Sequence, residues 1–407
     1  MPVISTILNT NTELYNYLND VNYGMSKPQF NHLSSIVNGL INIKGNKTIS
    51  TIAQGILTVK DRSCIYKFLS RSKWDDSLLN TNRINYINYY IKNNVPNNSV
   101  GFLVIDDTVN IKKTAKKMQG LSFNHSHAEG KRVWSHSVVT SNLVINDLST
   151  PLQFQPYYSK DVCKDSNKSF KSKVDIAKDF ISDFIAPDNC NSIYCLVDSW
   201  YTSTPLIESC LTKGFHLIGS VKSNRIVKPF GIRSKLSQLA DSIDPSSLDV
   251  VTIKGKGHRV YRYEGPVGSF ENAVVLICYE VNGEDIEPLM FTLSTDISLA
   301  NEKILEYYSI RWKIEINYKY LKTNLSFDKY RVRSFLSIER YFLLVFLAIN
   351  FLEFIRFKTT NAAIKTIGDT INYIISLSAI DLVTFVYKSS KDNIPLQYVF
   401  EALRIAS

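Results

Sequence analysis

Two short apolar runs, each closing on acid, constrain this chain most: GFLVIDD at 101–107 and SIYCLVD at 192–198. Unbroken apolar runs of this length read as strands buried on both faces. A carboxylate cannot enter such a core unpaired, so the acids must surface where the strands end, the place where α/β sheets bind ligands. The segments between and beyond extend the pattern. RVWSHSVVTSNLVI and PLQFQPYY are rich in β-branched and aromatic residues and predict a meander. KSKVDIAKDFISDFIA predicts an amphipathic helix that stops before Pro187. TPLIESCLTKG predicts a second helix, with Thr204 as N-cap, Pro205 as first residue and Gly214 as terminator. FHLIGSV predicts the next strand. The order β-β-β-α-β-α-β indicates an α/β layered core.

The flanks differ. Residues 1 to about 98 carry helical spacing, as in Phe30, Leu33, Ile36, Val37, Leu40 and Ile41. A helix start is expected at Ser26 or Lys27, just before Pro28. A second helical pair is expected around residues 48–73, turning near Asp61 and carrying Lys67, Arg71 and Lys73. This first hundred residues holds ten Lys or Arg against five Asp or Glu, which suits a DNA-contacting helical module as well as it suits a solvated face. Between about 226 and 295, VVTIKG, HRVYRYEG, NAVVLICYEV and PLMFTLST predict a mostly antiparallel insertion. Helices are expected from Asn301 onward.

The formal charge of +10 points to a polyanionic partner, because released counterions favour nucleic acid on cationic surfaces. The six cysteines are scattered with no CxxC pair, which argues against a metal cluster or disulfide scaffold. The N-terminal residues lack the pattern of a signal peptide. The longest apolar stretch, Tyr341 to Ile349, is followed by Asn350, Glu353 and Arg356. It reads as a buried helix, since a membrane span needs about twenty mostly apolar residues. No membrane association and a cytoplasmic location are expected.

The strongest chemical signal lies in YSIRWKIEINYKYLK. Tyr308, Arg311, Glu315 and Lys322 are expected within an arc of roughly 60° on one face of a helix about 21 Å long. Ile310, Ile314, Tyr318 and Leu321 gather on a neighbouring face that can pack on a sheet. A carboxylate flanked by two cations and a phenol would suit phosphates beside a metal ion. The bland alternative is an exposed face on which Arg311 and Glu315 simply pair.

The pattern Tyr-x2-Arg-x3-Glu-x6-Lys resembles the YREK signature of a large group of bacterial and archaeal insertion-sequence transposases. LVIDDT is similar to that group's first-aspartate strand and LVDSWYTS to its second, in the same order, with a β-rich insertion before the glutamate helix. The resemblance covers about residues 100 to 340. It implies an α/β, RNase H-like catalytic core with a β-rich insertion, a helical N-terminal DNA-binding region and a helical C-terminus. The expected division is 1–98 for the N-terminal region, 99–225 and 296–360 for the two parts of the catalytic domain, 226–295 for the insertion, and 361–407 for the C-terminal region. The resemblance further implies a DDE triad of Asp107, Asp198 and Glu315 as catalytic residues and metal ligands. Tyr308, Arg311 and Lys322 would contact DNA phosphates. Asp106 and Asp107 are adjacent and point to opposite sides of a strand. Relatives place the catalytic aspartate directly before a threonine, which favours Asp107 and leaves Asp106 as a strand-end partner.

The chemistry agrees with the residue types. Two Mg²⁺ ions, with Mn²⁺ as a possible substitute, can activate the attacking oxygen and steady the leaving one. Mg²⁺ binds through a few carboxylates plus substrate phosphate. The expected activity is cleavage of double-stranded DNA at the terminal inverted repeats of an element and transesterification into target DNA, with a homodimer assembled on the two ends and a nucleoid-associated, prokaryotic setting. The rivals are a nuclease of the same fold without strand transfer and a domesticated or inactive transposase that only binds DNA. Lys112, Lys113, Lys116 and Lys117 follow the first aspartate and, with Lys131 and Arg132, form a basic segment suited to the DNA backbone. Arg331, Arg333 and Arg340 extend that track beyond the glutamate helix. His125 and His127 form an HxH spacing with no third ligand nearby in sequence. Trp134, Trp200 and Trp312 fall inside the catalytic blocks, with core packing as their default role.

Overall fold

The structure, a computed structural model, describes residues 7, 10–57, 61–253, 255–282 and 285–403, with backbone only at 256, 280–282 and 285–287. Five helices come first: α1 (Thr12–Val21), α2 (Lys27–Asn42), α3 (Ile49–Gly55), α4 (Arg62–Ser70) and α5 (Asp76–Asn94). Local chemistry sets their starts. Ser26 caps α2 in a reciprocal box with Gln29, and Pro28 sits in the first turn. Asn11, Thr48, Asp61 and Asp75 each accept a backbone N–H at the starts of α1, α3, α4 and α5. Lys73 lies beyond the end of α4.

The central segment forms β1 (Ser99–Ile111), β2 (Ser122–Ser126), β3 (Lys131–Ile145) and β4 (Leu148–Tyr157). It continues through α6 (Lys160–Asp165), α7 (Lys173–Asp183), β5 (Cys190–Val197), α8 (Thr204–Thr212) and β6 (His216–Ser220). β1 pairs antiparallel with β3 and parallel with β5, and β5 pairs parallel with β6. Three local expectations are corrected. β1 runs through both aspartates to Ile111, because its outer half finds a full partner in β3 from Ser135 to Val139. β2 was not anticipated: SFNHS is too polar for a core strand and is held as an edge on β3. The N-cap position of α8 is Ser203, so Pro205 occupies the second helical position.

The next segment comprises β7 (Ile226–Val227), β8 (Ser234–Lys235), α9 (Leu236–Asp241), β9 (Asp249–Ile253), β10 (Lys256–Val267), β11 (Phe270–Asn282) and β12 (Asp285–Ser294). β9 to β12 pair antiparallel, as expected. They do not stand apart, however: β12 pairs with β6, so one sheet runs β2-β3-β1-β5-β6-β12-β11-β10-β7-β8.

The chain ends in α10 (Asn301–Ser309), α11 (Trp312–Thr323), α12 (Phe335–Lys358), α13 (Ile367–Lys391) and α14 (Leu396–Ala402). The expected single helix through Tyr308, Arg311, Glu315 and Lys322 is broken at Ile310 and Arg311. There Ile310, Arg311, Lys313 and Ile314 bond three residues back, which tightens the turn and places Tyr308 on a separate helix. α12 is apolar all round because it lies between the sheet and the N-terminal helices. Arg83 of α5 is fully buried there and donates to Asn350 of α12 and to the carbonyls of Pro151 and Leu152. Tyr90 donates to the Phe354 carbonyl. The N-terminal helices therefore share one core with the end of the chain. α12 and α13 are both long and apolar enough to cross a membrane by length and composition. α12 is mostly buried in protein, whereas α13 exposes Ile380, Val383 and Tyr387.

Candidate active site

The sheet brings two acids level. Val104 of β1 lies opposite Leu196 of β5 in a parallel pair, so Asp106 and Asp198 stand two residues further on in each strand direction. Asp198 follows the last residue of β5, and its Oδ1 accepts the amides of Trp200 and Tyr201 at 2.9 and 3.0 Å. Its carbonyl accepts the Thr202 hydroxyl and amide. The turn rests on Gly219 of β6, where an added Cβ would collide with the Thr202 hydroxyl and the Val197 side chain.

Neighbouring residues of a strand face opposite ways, and the two aspartates of β1 meet different company. Asp106 shares its face with Thr140, which bonds Tyr318 of α11 at 2.7 Å. Arg311 lies 3.2 Å from Asp106 and 3.6 Å from Glu315, tying the strand to α11. Burial and the charges of Asp198, Asp107 and Glu315 push the Asp106 carboxyl up to about 8. Burial alone would weaken Arg311 as a cation, yet Tyr308, Asp106, Glu315 and Asp198 together raise its pKa.

Asp107 faces α7. Its Oδ2 takes Lys173 Nζ at 2.5 Å and the Ser137 hydroxyl at 3.1 Å, while its Oδ1 accepts the Tyr201 hydroxyl at 3.1 Å. Tyr201 is buried and belongs to the Asp198 turn, so one phenol links the second aspartate's loop to Asp107. Glu315 is more open than Asp106 and Asp107, with 40% of its side chain exposed.

The anticipated DNA-contacting residues divide into two sets. Lys113, Lys116, Lys117, Arg331 and Arg333 are exposed and line a common groove with Tyr330. Lys112 instead turns inward, donating to the Asp328 and Tyr330 carbonyls over the Tyr330 ring, and burial lowers it to about 8. Lys322 donates to the Val109 carbonyl of β1, and burial lowers its pKa too. Arg340 is buried against Trp74, bonding Asp76 and the ends of the α4 turn. Of the three tryptophans, Trp134 packs on Phe123 and donates to the Ala115 carbonyl, while the other two depart from core packing. Trp200 and Trp312 are 48% and 62% exposed beside the acids.

Two comparisons with known families bear on this geometry. The family described as a transposase DDE domain matches residues 171–351. The family described as a DDE superfamily endonuclease matches residues 14–237, more than half of the chain. The chain belongs to the DDE superfamily of transposase-type endonucleases. No curated protein matches it.

For a DDE enzyme, the donor chemistry is apt: all four acids offer hard carboxylate oxygens, the ligands Mg²⁺ prefers. Their crowding is under-compensated, as the upward push on Asp106 by three other carboxylates shows, and a divalent cation would relieve it. The residues fit such an ion by chemistry. As they stand, no three acids, histidines or cysteines among the described residues converge on one point. Lys173 and Arg311 hold them in separate pairs instead.

A second groove joins the first. Arg62 and Lys67 of α4 and Arg71, which caps its end, line it with Lys47, Arg331 and Arg333, and its described lining includes hydroxyls but no Asp or Glu. Arg331 and Arg333 belong to both grooves, so a continuous basic surface runs from the N-terminal helices to the lysines after β1. Sequence reasoning picked out Lys67 and Arg71 by their helical spacing. It missed Lys47, and it missed Lys173, Ser137 and Tyr201, whose approach to Asp107 depends on which strand and helix faces meet.

Proposed function

We propose that this DDE enzyme is an insertion-sequence transposase of the YREK-signature group, with an RNase H-like catalytic core, acting on double-stranded DNA. It cuts at the terminal inverted repeats of its element and joins the ends to target DNA in the bacterial or archaeal cytoplasm. Asp107, Asp198 and Glu315 would hold the divalent ions, two Mg²⁺ for which Mn²⁺ could substitute. When bound, these ions supply water activation and charge stabilisation at the scissile phosphate. Arg311 keeps Glu315 aimed at the strand ends, and the Asp198 turn delivers Tyr201 to Asp107. Asp106, pushed toward its neutral form, anchors Arg311 and is the weaker cation ligand. The basic surface through Arg62, Lys67, Arg71, Arg331 and Arg333 carries the duplex backbone, with Lys113, Lys116 and Lys117 continuing it. Both ends must be held for joining, so two copies assemble on DNA.

The observation that carries this reading is that β1, the end of β5 and α11 bring four carboxylates within electrostatic reach of one another, with Arg311 paired to Asp106 and Glu315 and Lys173 paired to Asp107. The test is to incubate the protein and its Asp198→Asn variant with duplexes bearing candidate ends and Mg²⁺. Strand cleavage followed by joining, both lost in the variant, is the expected result. Cleavage without joining would leave a nuclease, and binding without cleavage would leave a DNA-binding protein.

A further inference from the structure

Among the described residues, Lys173 is the cation paired with Asp107. It projects from the first turn of α7, which Ser172 and Asp175 fix by a reciprocal capping box. Its Nζ stands 2.5 Å from Asp107 Oδ2, on the oxygen that also receives the Ser137 hydroxyl. Both side chains are 17% exposed, so the pair is only partly screened by water. Two aromatic rings border the ammonium: Tyr157 at 5.6 Å and Trp200 at 5.7 Å from the ring centres. Trp200 belongs to the turn that Asp198 caps. The other lysine at this helix start, Lys171, is engaged elsewhere, at 2.7 Å from Asp179.

A divalent ion on Asp107 would approach its oxygens to about 2.1 Å. An ammonium on the same oxygen would then lie close to a doubly charged ion in a poorly screened site, where repulsion is strong. One of the two must leave. The Tyr157 and Trp200 rings offer the displaced ammonium a second seat that needs no anion.

We propose that Lys173 is a resident counter-ion of the catalytic centre: it occupies Asp107 in the metal-free enzyme and is displaced when the divalent ion binds. It is a positioning residue that holds the Asp107 carboxylate in place between catalytic cycles, and it sets how much metal the site demands. The inference rests on the assignment of Asp107 as a metal ligand.

The test is a Mn²⁺ titration of the full-length protein without DNA, followed by the shift in thermal unfolding, with Lys173→Met, Lys173→Arg, Asp107→Asn and the Lys173→Met, Asp107→Asn double variant. A bound ion stabilises the native state by RT ln(1 + L/Kd), where L is the free ion concentration, so the concentration dependence of the melting temperature reports its affinity. Lys173→Met should melt lower than wild type in EDTA yet bind Mn²⁺ roughly tenfold more tightly, as expected for removing one partly screened competing charge. Lys173→Arg should stay near wild type. A merely structural lysine would lower stability and leave the Mn²⁺ affinity unchanged, and that outcome overturns the proposal. If Asp107→Asn leaves the Mn²⁺ response intact in both backgrounds, the ion does not sit on Asp107, and the functional assignment fails with it. If Asp107→Asn abolishes the response while Lys173→Met leaves it as in wild type, only the counter-ion proposal falls.

Discussion

Asp106 and Asp107 are consecutive residues of one strand, chemically identical, yet they live in opposite electrostatic worlds. Asp106 faces α11, where Asp198 and Glu315 crowd it and Arg311 divides its charge between two acids. Asp107 faces α7, where a lysine, a serine hydroxyl and a tyrosine hydroxyl all donate to it. The difference follows from the two-residue period of a strand: one step along the chain exchanges one helix layer for the other. It teaches that a carboxylate's role is set by the layer it faces more than by the motif it belongs to. Burial among other acids pushes Asp106 toward its neutral form even though it shares Arg311 with Glu315, whereas Asp107 has Lys173 and two hydroxyl donors to itself.

The sharpest way to break the comparison is to neutralise each aspartate separately. Asp107→Asn should reduce metal-dependent strand cleavage by about 10³-fold or more, in line with removing a principal charge-stabilising group. Asp106→Asn should stay within about tenfold of wild type. The reverse ranking in a single-turnover cleavage assay would exchange the two assignments. Next in size is Arg311→Gln, which frees Glu315 from the strand. A misplaced catalytic group costs about 100-fold, so cleavage should fall by roughly that factor while DNA affinity in EDTA changes much less.

A third test reads the acids through stability. The folded-state pKa of Asp106 is raised to about 8 from 3.8, so the native protein holds a proton that the unfolded chain has released. Stability contributed by this group is present below about pH 4 and lost as pH rises toward 8. In EDTA, wild type should lose roughly 2–5 kcal/mol across that window relative to Asp106→Asn, measured by urea unfolding at several pH values. Matching pH profiles would mean that Asp106 ionises normally. The smallest effect belongs to Ser137→Ala. It removes one of three donors to Asp107 and should cost about 1 kcal/mol, with cleavage changed only a few-fold. A loss comparable to Asp107→Asn would show that Ser137 does more than support the carboxylate.

Much of the framework was legible before any coordinates. The apolar runs before Asp106 and Asp198 are strands, and Ile314, Tyr318 and Leu321 do form the buried face of α11. Other features depended on partners remote in sequence. β1 continues past its acids because β3 supplies hydrogen bonds there, something a polar stretch does not announce. Lys112, Lys322 and Arg340 resemble DNA ligands by type, and each also donates to backbone carbonyls of a remote segment, which their sequence neighbourhood does not announce. Trp200 and Trp312 carry the composition of a core and stand largely in solvent.

By itself, the sequence determined which residue types and spacings were present: strands buried on both faces, acids at fixed intervals, and a helix whose apolar stripe requires a sheet beneath it. Those properties are local, because periodicity and capping act over a few residues. Only the tertiary structure decided which cation met which acid, that the late β strands join the central sheet through β6, and that α4 and the segment after α11 share a basic surface. Pairings across 66 residues, as for Lys173 and Asp107, or 205, as for Arg311 and Asp106, come from layers packing face to face. No short-range rule encodes them, since the energy that selects them exists only once the core has formed.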